Sequence, residues 1–264
     1  MKLSKIAVVY TIPRTNEQKS TLDLVKKIIK KYKIENKLAN RDELNKSQFK
    51  DKDLIIAAGG DGTFLRAAHF IDKQPIFGVN ADVRNKEGFF MKSDKTDFEK
   101  KLNKIIKNEV NIKKLPRLEA YIDNKKAEVL ALNEFFIGSK KSYHAAKYEI
   151  EIYGKTEVQK SSGVLVNTPA GSYAWAKACC GKTMPLSSNK FQFVVREPYE
   201  GRVFKNYTLK QGILNRNQEV RIISHMQDGA IVADSVSKEH DFKNGSAATV
   251  KLSNSYLNVI WFDK

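Results

Sequence analysis

Gly59, Gly60, Asp61, Gly62 and Thr63 combine a carboxylate with the backbone freedom that a bound anion requires. Glycines let the main chain approach an anion closely. Amides at a helix N-terminus then face it with the favourable end of the helix dipole. A carboxylate in such a cradle repels phosphate unless a proton transfer or a metal ion needs it there, so Asp61 reads as a candidate general base. The plainer reading is a capping acid beside a tight turn, because glycine motifs are weak alone. Two further groups could grip a ligand. Asn133 offers a donor and an acceptor and Glu134 two acceptors, which suits the vicinal hydroxyls of a ribose; a turn or strand edge is the plain alternative. Asn167 to Gly181, NTPAGSYAWAKACCG, places a Thr-Pro turn and a glycine before a small-residue helix, where Ser172 and backbone amides could contact a ligand. Its plain alternative is an ordinary strand-to-helix turn.

These groups need elements to hold them. Ile55 to Ala58 reads as a buried parallel strand leading into the glycines, and Phe64, Leu65, Ala67, Ala68 and Phe70 as the helix that follows. KIAVVY, from Lys5 to Tyr10, predicts a first central strand. Leu22, Val25, Ile29 and Tyr32 repeat at helical spacing and predict a helix from Ser20 to Lys33, with Ser20 as its cap and Asp23 in its first turn. A polar connection follows. PIFGVN, residues 75–80, is another strand, and Thr96 with Glu99 forms a capping box for a helix carrying Phe98, Leu102, Ile105 and Ile106. This alternation predicts an N-terminal doubly wound, Rossmann-like α/β domain with ligands at the strand C-terminal ends.

From Leu115 the character changes. LEAYIDNKKAEVLALNEFFIG holds two extended runs around Asp123 and Asn124, and YEIEIYG, SGVLVN, FQFVV, QEVRIIS, GAIVAD, ATVKLS and YLNVIWF are separate short strand candidates. They predict a β-rich, β-sandwich-like C-terminal domain with one helical interruption near Ser172 to Ala178. The expected domains are 1–112 and 113–264, with the C-terminal end able to return to the first.

A chain of 264 residues with 41% hydrophobic content can bury a sizeable core. No apolar run reaches the roughly 20 residues of a membrane span, and MKLSKIAVVYTIPR turns polar too soon for a secretory signal, so a cytoplasmic location is expected. Cys179 and Cys180 are adjacent and support no disulfide framework. The formal charge of +17 raises nucleic-acid binding. The lysines lie along helix faces such as VKKIIKKYK without interleaved aromatics, which favours a solvated face that attracts small polyanions. His69, His144, His225 and His240 show no metal-ligand spacing, and no metal ligand is expected from the chain.

GGDGT resembles the signature shared by NAD kinases, diacylglycerol and sphingosine kinases and, more loosely, phosphofructokinases. GGDGT, then an Asn-Glu pair, then a TPAGSYAW segment after a strand is similar to the NAD kinase family over about residues 50–240. GVNADVRNKEGFF, KSSGVLVNTPAGSYAW and VVREPYEGRVF are closest to its mitochondrial type. The resemblance implies that ATP, with Mg²⁺ or another divalent cation, phosphorylates the 2′-hydroxyl of the adenosine ribose of NAD(H). It implies Asp61 as general base, Gly59, Gly60, Gly62 and Thr63 around the phosphates, and Asn133 and Glu134 on the NAD ribose or adenine. Thr168, Gly171, Ser172, Ala174 and Trp175 would line the dinucleotide pocket, and a homodimer or homotetramer would form through the β-rich domain. Neither nucleic acid nor membrane is an expected partner.

Departures from the family pattern are specific. Ala170, Tyr173 and Trp175 replace two threonines and a tyrosine, and Ser162 stands where many bacterial members carry an aspartate. Asp234 falls where the family has Asp-Gly, but Ser235 follows it. Arg196 and Arg202 could neutralise phosphates or make surface pairs. The competing readings are a lipid or sphingoid kinase of the same superfamily and a non-catalytic NAD-binding sensor.

Overall fold

The apolar run that precedes the glycines is the centre of a parallel sheet. In the computed structural model, which describes residues 3–263, β1 (Lys5–Tyr10) lies between β2 (Glu35–Asn40) and β3 (Leu54–Gly59), and β3 pairs with β4 (Ile76–Asn80), which pairs with β5 (Met91–Asp94). Every one of these pairings is parallel, and all six residues of β3 are buried, as expected for a strand covered on both faces. The connecting helices are α1 (Asn16–Lys31), α2 (Asp61–Ala68) and α3 (Phe98–Ile106). Leu22, Val25 and Ile29 of α1 and Phe98, Leu102 and Ile105 of α3 pack against Ile6, Val8, Ile56 and Phe77 of the sheet.

The chain divides into two compact units. One reaches Lys114 and takes back the chain from Leu257; the other is Leu115–Tyr256. The second is built from β6 (Asn111–Ile122), β7 (Lys125–Lys126), β8 (Glu134–Ser139), β9 (Ala146–Ile152), β10 (Lys155–Ser161), β11 (Val164–Asn167), a short helix α4 (Trp175–Ala178), β12 (Lys190–Val195), β13 (Gln211–Asn215), β14 (Val220–Ser224), β15 (Gly229–Ala233), β16 (His240–Asp241) and β17 (Ala247–Trp261). One antiparallel sheet runs β13-β12-β11-β8-β15-β16; antiparallel pairings also link β10-β9-β14-β17. Phe135, Ile137, Phe191, Phe193 and Ile231 from the first set share a core with Tyr148, Ile150, Ile222 and Val250 from the second, a sandwich arrangement.

Several expectations change. α1 begins at Asn16, one turn before Ser20, because the Thr15 hydroxyl accepts from the Gln18 amide; Ser20 is an interior residue bonding back to the Glu17 carbonyl. The polar connection after α1 contains β2, of whose six residues only Ala39 is buried. The capping box at Thr96 and Glu99 is not made, since Thr96 donates to Asp94 and Glu99 pairs with Lys31. A capping box does form between Asn45 and Gln48, around a 3₁₀ turn. Asp123 and Asn124 turn with positive φ, but the returning arm is only β7, and Asn133 precedes its strand instead of ending a continuous one. ATVKLS and YLNVIWF are one strand, β17, of 15 residues.

Candidate active site

In the first unit the sheet delivers the loop. Gly60 is the N-cap of α2 in extended conformation, so Asp61 is the first helical residue, where an acid suits the dipole. Its carboxylate is fixed from outside the helix, accepting from the amides of Phe89 (3.0 Å) and Phe90 (2.8 Å). Phe90 is itself anchored by a stacked contact with Phe64, ring centroids 4.8 Å apart. Thr63 is fully buried and packs over Gly59, where an added Cβ would lie 2.3 Å from the Thr63 hydroxyl. The aliphatic stem of Lys86 covers Gly60, while Gly62 faces open space. Asp61, Gly59, Gly60, Gly62 and Thr63 are therefore one preformed structure.

In the second unit the organiser is Asp234. It is buried, follows β15 with φ of +53°, and accepts from the amides of Leu132 (2.9 Å), Asn133 (2.6 Å) and Glu134 (3.2 Å). Its own amide donates to the Glu134 carbonyl. Thr168 holds the same turn from the other side, its amide donating to the Asn133 carbonyl and its hydroxyl to that of Leu132 (2.5 Å). The Thr168 hydroxyl also accepts from Gly171.

The side chains so positioned keep free acceptors. Asn133 Oδ1 and Glu134 Oε2 are buried without a hydrogen-bond partner. Burial, with the Asp234 carboxylate nearby, pushes the Glu134 carboxyl up to about 8 from its ordinary 4.5. Ser235 reaches Glu134 Oε1 at 3.5 Å, so the residue that replaces the family glycine touches this pair. Leaving such groups unpaired costs about 1–3 kcal/mol each, which a ligand supplying hydroxyl donors would recover.

Ser172 is placed differently from the expectation that its hydroxyl meets a ligand. It is fully buried, donates to the Pro169 carbonyl (2.6 Å) and accepts from the Met184 amide (2.9 Å). Ala174 is exposed; Trp175 is half-buried and stacks on Phe136 at 5.3 Å. The Arg196 guanidinium lies 4.6 Å over the Trp175 ring, and its Nη1 donates to the Ser162 carbonyl. Arg202 is exposed, and His69 caps the C-terminal end of α2.

Gly171 lies against the Asn133 carbonyl, where an added Cβ would stand 2.1 Å from the oxygen. Gly171→Ala must push this backbone apart, and overpacking of this kind costs about 1–3 kcal/mol. The expected result is a Tm lowered by several degrees together with weaker dinucleotide binding. Calorimetric melting with titration checks it, and an unchanged Tm would show that the turn yields freely.

Known proteins resemble the chain over most of its length. Residues 3–110 match the ATP-NAD kinase N-terminal domain. Over 95% of its length the chain is 25% identical to a probable NADH kinase of Oryza sativa subsp. japonica, covering 83% of that protein. It is 29% identical to an NAD kinase of Brucella suis over 81% of the chain and 80% of the relative. Residues 3–110 thus carry a domain of the NAD kinase family. The NAD kinase fold is shared across the whole chain: an Archaeoglobus fulgidus NAD kinase solved with ATP superposes with a TM-score of 0.78 at 22% identity, covering 97% of this chain and 93% of that one. Yeast NADH kinase solved with NADH gives 0.83 at 16% identity, covering 99% and 84%.

The sequence places Asp234 only where the family has Asp-Gly, with no role attached; the structure gives it three amides to hold and gives Asp61 those of Phe89 and Phe90. Asp234 stood in view beside an apolar strand end; nothing local in the sequence marks the two amides.

Proposed function

We propose that the chain transfers the terminal phosphoryl group of ATP to the 2′-hydroxyl of the adenosine ribose of NAD or NADH, giving NADP or NADPH. The observation that carries this reading is the Asn133 and Glu134 pair, held from two sides with two buried oxygens unpaired: Asn133 Oδ1 accepts from one hydroxyl, and the Glu134 carboxyl donates to the other when protonated or accepts from it when ionised, the complement of a diol. Phosphoryl transfer needs alignment and charge stabilisation more than covalent chemistry, and a preformed loop supplies alignment. In this reading Asp61 takes the proton of the attacking hydroxyl, and its two amide partners fix where the carboxylate points. Gly59, Gly60, Gly62 and Thr63 bound the phosphates, while Thr168, Gly171, Ser172, Ala174 and Trp175 shape the dinucleotide side. Mg²⁺ is taken to arrive with the substrate as Mg-ATP, bound mainly through phosphate oxygens. The same reading includes a homodimer or homotetramer and a cytoplasmic setting; no helix among the described residues is long and apolar enough to cross a membrane.

The test is NADP(H) formation by purified protein with ATP and Mg²⁺, on NAD and NADH side by side. Turnover of at least one dinucleotide is expected, and the ratio gives the preference. Dinucleotide binding without turnover would replace the kinase by a sensing module, and phosphorylation of a lipid alcohol alone would move the activity to lipids.

A further inference from the structure

Arg41 belongs to no motif, yet the sheet brings it to the glycine loop. Tyr10 of β1 pairs with Asn40 of β2 on one side and Ala58 of β3 on the other, so Arg41 is level with Gly59 at the same edge of the sheet. Its amide donates to the Tyr10 carbonyl, which holds its backbone there. Its Nη1 donates to the Thr63 hydroxyl at 3.3 Å, and that hydroxyl is the atom packed over Gly59. The guanidinium is thus one hydrogen bond from the floor of the loop.

Little within the chain uses its charge. Arg41 Nε is sealed from solvent and has no hydrogen-bond partner. The nearest carboxylate atom, Asp42 Oδ1, is 3.7 Å away on a half-exposed side chain that also serves Arg66 at 3.9 Å. Ion pairs of that exposure are weak and screened by solvent. The loop meanwhile carries the Asp61 carboxylate, which opposes a polyphosphate unless a cation offsets it. A planar fork of donors suits phosphate oxygens better than a point charge does.

We propose that Arg41 is a donor-binding residue, its free guanidinium N–H groups holding oxygens of the β- or γ-phosphate of ATP, with Thr63 fixing the direction of the fork. This rests on the kinase reading for the identity of the donor. The tests are titration calorimetry of ATP and AMP into the wild type, Arg41→Gln, Arg41→Lys and Arg66→Gln, with Tm as the check on folding, and steady-state KM values for both substrates.

Arg41→Gln is expected to weaken ATP about 10- to 100-fold, the loss of a charge-assisted contact, with AMP affinity and KM for the dinucleotide changed about twofold or less. Arg66→Gln removes the same charge from the outer turn of α2 and should change ATP affinity about twofold or less. Unchanged ATP affinity in a folded Arg41→Gln protein would overturn the proposal; so would equal losses for ATP and AMP, or a shift confined to the dinucleotide KM. If the glutamine variant does not fold, Arg41→Lys decides: it keeps the charge without the fork and should lose about 3- to 10-fold for ATP, and no loss overturns the assignment. Calorimetry needs no turnover, so a wild type that binds ATP through Arg41 yet makes no NADP(H) would sink the kinase reading and leave this one standing.

Discussion

Asp61→Asn is expected to lower kcat for phosphoryl transfer by about 10²- to 10⁴-fold, the range a positioned general base contributes. The substitution is nearly isosteric but does not preserve every bond. The carboxylate accepts from both Phe89 and Phe90, whereas an asparagine oxygen can serve one amide while its NH₂ faces the other. Phe90 remains anchored by its stack on buried Phe64, so the segment keeps its place without the second bond. A loss in kcat with KM for ATP within about threefold and a Tm within a few degrees marks lost proton transfer. A collapse of KM and Tm together would make Asp61 a loop anchor, and full turnover would remove it from the mechanism.

Glu134→Gln should change how stability depends on pH. The folded-state value of about 8 lies above the ordinary 4.5, so between them the folded protein binds the extra proton. The stability linked to that proton is fully present below pH 4.5, declines as pH rises through the window, and is gone above about 8. At about 1.4 kcal/mol per unit, the whole window is worth on the order of 3–5 kcal/mol. Glutamine does not titrate, so the variant should gain on the wild type between pH 5 and pH 9. Urea unfolding of both proteins at those two pH values measures the gain, and a constant difference would show that Glu134 keeps an ordinary carboxyl in the folded state.

The glycine loop was legible because strand, turn and helix each carry their own local signal: full burial for β3, glycines, and an apolar face on α2. The β-rich half was legible for the same reason wherever strands alternate, as β9 does. What escaped was held by pairing. β2 has one buried residue and exists because β1 offers it a backbone ladder. The start of α1 moved because Thr15 and Ser20 are both competent caps and local chemistry does not choose between them. The box at Thr96 failed because Asp94 and Lys31 compete for its members. At the site, residue types announced Asn133 and Glu134, but the three amides gathered by Asp234 come from about a hundred residues earlier. A sequence presents such a residue only as an acid at a strand end.

β17 begins in one unit and ends in the other: Val259 pairs with Ile76, and Ile260 lies in the core of the first unit. During synthesis on the ribosome, the parallel sheet that emerges first must therefore wait, with that part of its core uncovered, until residues 257–261 have been made. The second unit, Leu115–Tyr256, is by then complete. The earliest-made part of this kinase is the last to be sealed, and a nick anywhere in the intervening stretch cuts the covalent path between the sheet and its final strand.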